Sequence, residues 1–143
     1  MKKIMLIGES GCGKTTLIQK LLQMELKQIK TQTIEFCSNL IDTPGEYVES
    51  RHFYSALLIT SIDCDIVLLL QDSTKNTCIF PPNFAIMFNK QVVGVITKID
   101  KKTTFINTAK DCLLNAGVSK IFLLSSYTGE GIDLLTKFLY ADD

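Results

Sequence analysis

Apolar and polar positions fall into short blocks along the chain, and the blocks read alternately as strands and helices. Runs at Lys2–Ile7, Asp65–Gln71, Gln91–Thr97 and Lys120–Ser125 predict strands. Two of them, with Ile66-Val67-Leu68-Leu69-Leu70 and Val92-Val93-Gly94-Val95-Ile96 at their centres, are apolar without alternation, as in strands covered on both faces. Thr33–Cys37 and Leu40–Asp42 predict two further short strands, joined at Ser38-Asn39 by a hairpin-like turn. Helical spacing covers Lys14–Met24, Glu46–Ile62, Thr103–Ala116 and Ile132–Tyr140, with Gly117 placed to stop the third helix. Pro81-Pro82 breaks any long helix between Asp72 and Lys90, leaving a short one around Asn83–Phe88. The stripes Leu17/Leu21/Met24 and Ile132/Leu135/Leu139 predict core-facing surfaces. This order predicts an α/β fold with a mostly parallel sheet.

Composition narrows the picture. A chain of 143 residues predicts a single domain over 1–143. Lys plus Arg and Asp plus Glu number 15 each, so no basic or acidic tail points to nucleic acid or an anionic membrane. The five cysteines are scattered, and an odd count with one histidine and no C-x-x-C pair argues against a zinc site. A reduced, cytoplasmic chain is expected. Met1-Lys2-Lys3 and the apolar run behind it imitate a signal peptide, but the glycine-rich run from Gly8 cuts the apolar segment short. No segment is long enough to span a membrane.

The chemistry begins at Gly8-Glu9-Ser10-Gly11-Cys12-Gly13-Lys14-Thr15, which fits the phosphate-binding pattern G-x-x-x-x-G-K-[ST] in strand–loop–helix context. Glycines let backbone N–H groups curl around a phosphate, and the helix that follows, from Lys14 through Thr16, directs its positive end there. Lys14 adds a charge for the β- and γ-phosphates, and Thr15 a hydroxyl for Mg²⁺. Asp42-Thr43-Pro44-Gly45 fits D-x-x-G: Asp42 can hold Mg²⁺ through water, and the Gly45 N–H can reach the γ-phosphate. Thr97-Lys98-Ile99-Asp100 fits [NT]-K-x-D. Asp100 can accept from both N1–H and the 2-amino group of guanine, a donor pair adenine lacks, while the Lys98 stem covers the base. Ser125-Ser126-Tyr127-Thr128-Gly129-Glu130-Gly131 follows the last strand and more loosely fits S-A-K-x-G-x-G, in which a backbone N–H meets the guanine O6 atom.

These four motifs, in order and at the C-terminal ends of predicted strands, resemble those of the small Ras-like P-loop GTPases. The resemblance implies a three-layer Ras-like G domain with a six-stranded, mostly parallel sheet, one antiparallel strand and helices on both faces. Lys30-Thr31-Gln32 before Glu35-Phe36, Ile41–Tyr47 around Asp42, and Tyr54-Ser55-Ala56-Leu57 more closely resemble the ethanolamine-utilization protein P / propanediol-utilization protein V family. That resemblance implies GTP or GDP with Mg²⁺ as ligands, and an association with bacterial microcompartments through shell or pathway enzymes. A Ras-like switch threonine maps to Thr31, with Thr33 as its rival; Thr31 would close over the Mg²⁺. Because the chain starts at its first strand, recruitment is expected to use the folded surface.

Two residues depart from the Ras-like pattern. Ser10 replaces a glycine and crowds the place of a water-positioning group. Glu46 replaces the glutamine that orients the attacking water, and an ionised carboxylate cannot donate to the phosphoryl group. Both predict slow hydrolysis, although Glu46 also suits a helix start. Cys12 reads as a small space filler, His52 as a surface or packing residue, and Arg51 as a solvated charge rather than an internal arginine finger. Three functions stay open: a slow GTPase, an acetate-kinase-like phosphotransferase using ATP or GTP, and a structural or assembly module stabilised by nucleotide.

Overall fold

Ile4–Ile7 (β1), Leu40–Asp42 (β2), Ile66–Asp72 (β3), Gln91–Thr97 (β4) and Ile121–Leu123 (β5) pair in parallel, in the order β2-β1-β3-β4-β5. The structure, a computed structural model, describes residues 2–28 and 39–140, with side chains described for 2–23 and 39–140. The expected sixth, antiparallel strand at Thr33–Cys37 lies outside the described residues, as do Thr31 and Thr33.

The apolar runs explain the layers. Residues of a strand point alternately to opposite faces, so a sheet buried on both sides needs no polar alternation. Ile4, Leu6, Ile66, Leu68, Leu70, Val93 and Val95 share one core with Leu17 and Leu21 of α1 (Lys14–Gln28) and Leu135 and Leu139 of α5 (Ile132–Leu139). Met5, Ile7, Val67, Leu69 and Ile96 share the other. Its helices contribute Val48 from α2 (Glu46–Glu49), Leu57 from α3 (Tyr54–Ser61), and Ala109 and Leu113 from α4 (Ile106–Asn115). Leu17 and Leu21 are fully buried; each such burial stabilises by about 1.5–3 kcal/mol relative to exposure. Both predicted stripes therefore face the core, save Met24, whose side chain is not described.

Three expectations need correction. The predicted helix Glu46–Ile62 is interrupted: Ser50 is extended (φ −135°, ψ 128°), and its hydroxyl accepts from the His52 N–H at 3.3 Å, opening a 3₁₀ turn, Arg51–Phe53, before α3. Serine competes for backbone groups in this way, and apolar spacing does not register it. The helix predicted from Thr103 starts at Ile106, although it ends as expected. There the Val118 N–H meets Leu113 O and the Gly117 N–H meets Leu114 O, both at 3.0 Å, which is the Schellman stop. Finally, the cysteines are not all reduced. Cys78, after β3, and Cys112, in α4, form a disulfide across 34 residues, their Cα atoms 5.6 Å apart. No spacing rule marks this pair, because packing of α4 against the chain after β3 brings it together.

Candidate functional site

The sheet order reverses direction between β1 and β3, and ligands of open α/β sheets bind beyond the strand ends at such a point. The loop after β1 turns there through two left-handed glycines, Gly11 (φ 81°) and Gly13 (φ 106°), conformations that a side chain resists. Lys14 is 8% exposed and folds back over the loop, donating to Gly8 O at 2.7 Å and Glu9 O at 3.3 Å. Cys12 is buried beneath the loop, and burial pushes its thiol up, against the pull of Lys14. It is a space filler held as the neutral thiol, not a reactive thiolate. Thr15 and Thr16 are exposed on the first turn of α1.

The chain after β4 is tied to that loop. Thr97, buried, donates from its hydroxyl to Cys12 O at 2.7 Å. Lys98 takes a positive φ of 61°, and its ammonium donates to Gly11 O at 2.6 Å and to Asp72 Oδ2 at 2.9 Å. Asp100 is exposed, and its Oδ1 accepts from the buried Ser125 hydroxyl at 2.7 Å. This bond engages Oδ1 and restrains the carboxylate of an otherwise exposed residue. Ser125 also receives the Thr128 N–H at 3.1 Å, closing the loop that carries Ser126 and Tyr127. Gly13, Thr16, Thr97, Lys98, Asp100, Lys101, Ser126 and Tyr127 together line a cleft of about 180 Å³. The phosphate loop, the T-K-x-D segment and the last loop thus meet at one place; Tyr127 stands 87% exposed at its rim.

The other edge of the loop faces α2. In register, Leu6 pairs with Asp42, which puts Asp42 beside the end of β1. Thr43 donates from its hydroxyl to Leu6 O at 2.8 Å, anchoring the segment. Gly45 packs against Ser10 so closely that a Cβ there would overlap the Ser10 backbone nitrogen and hydroxyl. Close approach, not a left-handed φ, therefore requires glycine at 45. Glu46 is exposed at the start of α2, and the Ser10 hydroxyl stands 3.5 Å from Glu49 Oε2. Arg51 and His52 are both exposed.

Two residues that the motifs do not name, Thr43 and Asp72, hold this geometry together with Ser125, the first residue of the last motif. Asp72 is 1% exposed and accepts from the Thr74 N–H (2.8 Å), the Thr74 hydroxyl (2.6 Å) and Lys98. Burial alone pushes its carboxyl up, but the bonds from Thr74 and Lys98 and the Lys98 charge more than offset this and hold it below the usual value. Its signal in the sequence is modest: an Asp two residues before a Thr at a strand end, the pattern of an Asx turn.

The donor set suits a hard cation completed by phosphate oxygens. Among the described residues no group of three or more His, Cys, Asp and Glu could cage a metal, whereas a hydroxyl and a carboxylate, those of Thr15 and Asp42, fit Mg²⁺ held jointly with a ligand. No helix among the described residues is long and apolar enough to cross a membrane.

Known proteins bear on this arrangement. The chain is 40% identical over its whole length to the "Propanediol utilization protein PduV" of Citrobacter freundii, covering 96% of that protein. It is 31% identical to the "Probable acetate kinase EutP" of Escherichia coli K12, over 97% of this chain and 89% of that one. Among solved structures it resembles the "putative nucleolar GTP-binding protein 1" of Plasmodium falciparum, with a TM-score of 0.61 over 96% of this chain and 84% of that one. At 16% identity this likeness is one of fold. The profile described as "Ethanolamine utilisation - propanediol utilisation" matches residues 1–141, and the chain belongs to that PduV-EutP family.

Proposed function

We propose that residues 1–143 act as one guanine-nucleotide-binding domain that hydrolyses GTP slowly with Mg²⁺, in the service of ethanolamine or propanediol catabolism. The observation that carries this reading is the cleft in which Asp100, fixed by Ser125, stands beside Lys98, fixed on Gly11 and Asp72. A carboxylate held in this way suits the N1–H and 2-amino pair of guanine, and adenine would leave it unpaired. Ser126 would offer its backbone N–H to the base O6 atom, and Tyr127 would flank the base.

In this reading Lys14 leaves the Gly8 and Glu9 carbonyls for the β- and γ-phosphates. The N–H groups of the loop from Glu9 to Thr16 surround the phosphates. Thr15 and Thr31 would hold Mg²⁺ directly and Asp42 through a water, and the ion would supply positive charge to the phosphates. Gly45 senses the γ-phosphate through its N–H. Glu46 faces the attacking water without a proton to donate, and Ser10 narrows the space for it; both keep hydrolysis slow. The protein would work in the cytoplasm, alongside a microcompartment and its shell or pathway enzymes.

The name "Probable acetate kinase EutP" on a relative favours a second reading, in which the same phosphate loop passes the γ-phosphoryl group to acetate. Calorimetric titration with GTP, GDP and ATP, followed by incubation with γ-labelled nucleotide and acetate, separates the two. We expect GTP and GDP to bind, ATP not to, and label to appear as inorganic phosphate. Selective ATP binding refutes the guanine reading. Acetyl phosphate formed at the expense of inorganic phosphate establishes the kinase.

A further inference from the structure

We infer that the Cys78–Cys112 pair is a thiol-exchange site for a dithiol reductant, and that its redox state sets how firmly the loop 73–80 grips the nucleotide cleft. The second part rests on the nucleotide-binding reading above.

The pair is asymmetric. Cys78 is exposed and Cys112 buried. Both lie on a groove of about 420 Å³ that also involves Phe80, Pro82, Thr108 and Asp111, so a thiolate can approach Cys78. Acceptors for the reduced form are already in position. Cys78 Sγ lies 3.0 Å from Phe80 O, and Cys112 Sγ lies 3.5 Å from Gln71 Oε1. Each sulfur, once it carries a proton, has an oxygen to donate to, so neither reduced thiol is orphaned.

The exchange balances in two steps. A thiolate of the reductant attacks Cys78 Sγ; the new S–S bond forms, the Cys78–Cys112 bond breaks, and the electron pair leaves on Cys112 Sγ, which takes a proton from solvent. The reductant's second thiolate then attacks its own mixed-disulfide sulfur. This releases a cyclic disulfide and leaves Cys78 as thiolate, which is protonated in turn. Two electrons and two protons pass from the dithiol to the pair.

The disulfide closes a short path to the cleft. Gln71, 1% exposed, touches Cys112 through Oε1 and donates from Nε2 to Thr77 O at 2.9 Å. Its neighbour Asp72 holds Lys98. The same loop sends Lys75 to Glu9 of the phosphate loop at 3.5 Å. The seat of the loop is not fully satisfied, since the buried Ser73 hydroxyl has no hydrogen-bond partner among the described residues. Cutting the disulfide would remove a covalent tie and leave this segment held by hydrogen bonds, from the Phe105 N–H to Ser73 O (2.6 Å), the Ser73 N–H to Thr97 O (3.2 Å), Thr74 to Asp72, Gln71 to Thr77 and Thr108 to Asn76, and by the Lys75–Glu9 pair.

The full chain, equilibrated in reduced or oxidised dithiothreitol, would be labelled with N-ethylmaleimide and mapped by peptide mass. Cys78 and Cys112 are expected to gain and lose label together, reversibly. Amides of 73–80 should exchange faster with deuterium in the reduced form, and GTP should bind it about fivefold or more weakly. Cys78→Ser should bind like the reduced form in both buffers, which separates this pair from Cys12, Cys37 and Cys64. Cys78 and Cys112 that stay labelled in oxidant overturn the site. Equal exchange and equal affinity in the two forms overturn the coupling. If neither form binds any nucleotide, the nucleotide reading fails with its half of the inference, and labelling with amide exchange still decides the redox site.

Discussion

The two sides of the phosphate loop are built differently. On the side of β4 and β5, four hydrogen bonds of 2.6–2.9 Å, made by Thr97, Lys98 and Ser125, bind loop to loop. On the side of β2 and α2, Thr43 anchors the backbone at 2.8 Å, and the contact between Ser10 and Glu49 is a loose 3.5 Å. In the proposed reading the first side is the one that would recognise the base. The second is a backbone pressed against Ser10, and in the same reading it is the side that would meet the terminal phosphate. Recognition and turnover should therefore respond to different substitutions.

Lys98→Ala should test the organised side most severely. It removes two charge-assisted bonds and leaves the buried Asp72 without its counter-charge, held by Thr74 alone, so GTP and GDP affinity should fall alike, by about 100-fold. Calorimetry checks this, and a loss confined to GTP would mean that Lys98 belongs to turnover. Asp72→Asn keeps the shape but loses the ion pair. Lys98 is about one-third exposed, so solvent screens part of the loss, and about tenfold weaker binding of both nucleotides is expected. On the loose side, Ser10→Gly and Glu46→Gln should raise single-turnover hydrolysis several-fold and shift GTP affinity by less than about twofold. A rate unchanged in both would remove the basis on which slow hydrolysis is proposed.

The smallest effect concerns acid. The Asp72 carboxyl is held below its ordinary value of 3.8. Its stabilising contribution is thus complete above that value and disappears as pH falls through the lower, folded one. Melting curves between pH 5 and 2.5 should show the wild type losing more stability than Asp72→Asn (a window chosen around the ordinary carboxylate value). Parallel curves would show that Asp72 titrates alike in the folded and unfolded chains.

Much of this contrast was visible in the residues. The apolar runs of β3 and β4 and the glycine pattern after β1 prescribe strand, loop and helix directly, because burial on two faces and phosphate-loop geometry each demand particular residue types. The motif residues Lys14, Thr97, Lys98, Asp100 and Ser126 follow from their spacing. What holds them does not. Asp72, at the end of β3, and Thr43 are ordinary polar residues until tertiary packing buries them, Ser125 is marked by its motif but not as the partner of Asp100, and Ser50 breaks a helix that apolar spacing alone would continue. Cys78 and Cys112 carry no pattern either, since their meeting depends on how α4 lies on the sheet.

The central claim, a guanine site made by Asp100, is tested most directly by titrating wild type and Asp100→Asn with GTP and xanthosine triphosphate. Asparagine can donate to the 2-oxo group of xanthine and cannot accept the guanine pair with a charged group. The substitution should weaken GTP by about 10²–10⁴-fold and make xanthosine triphosphate the preferred ligand. Unchanged GTP affinity in Asp100→Asn would contradict the account.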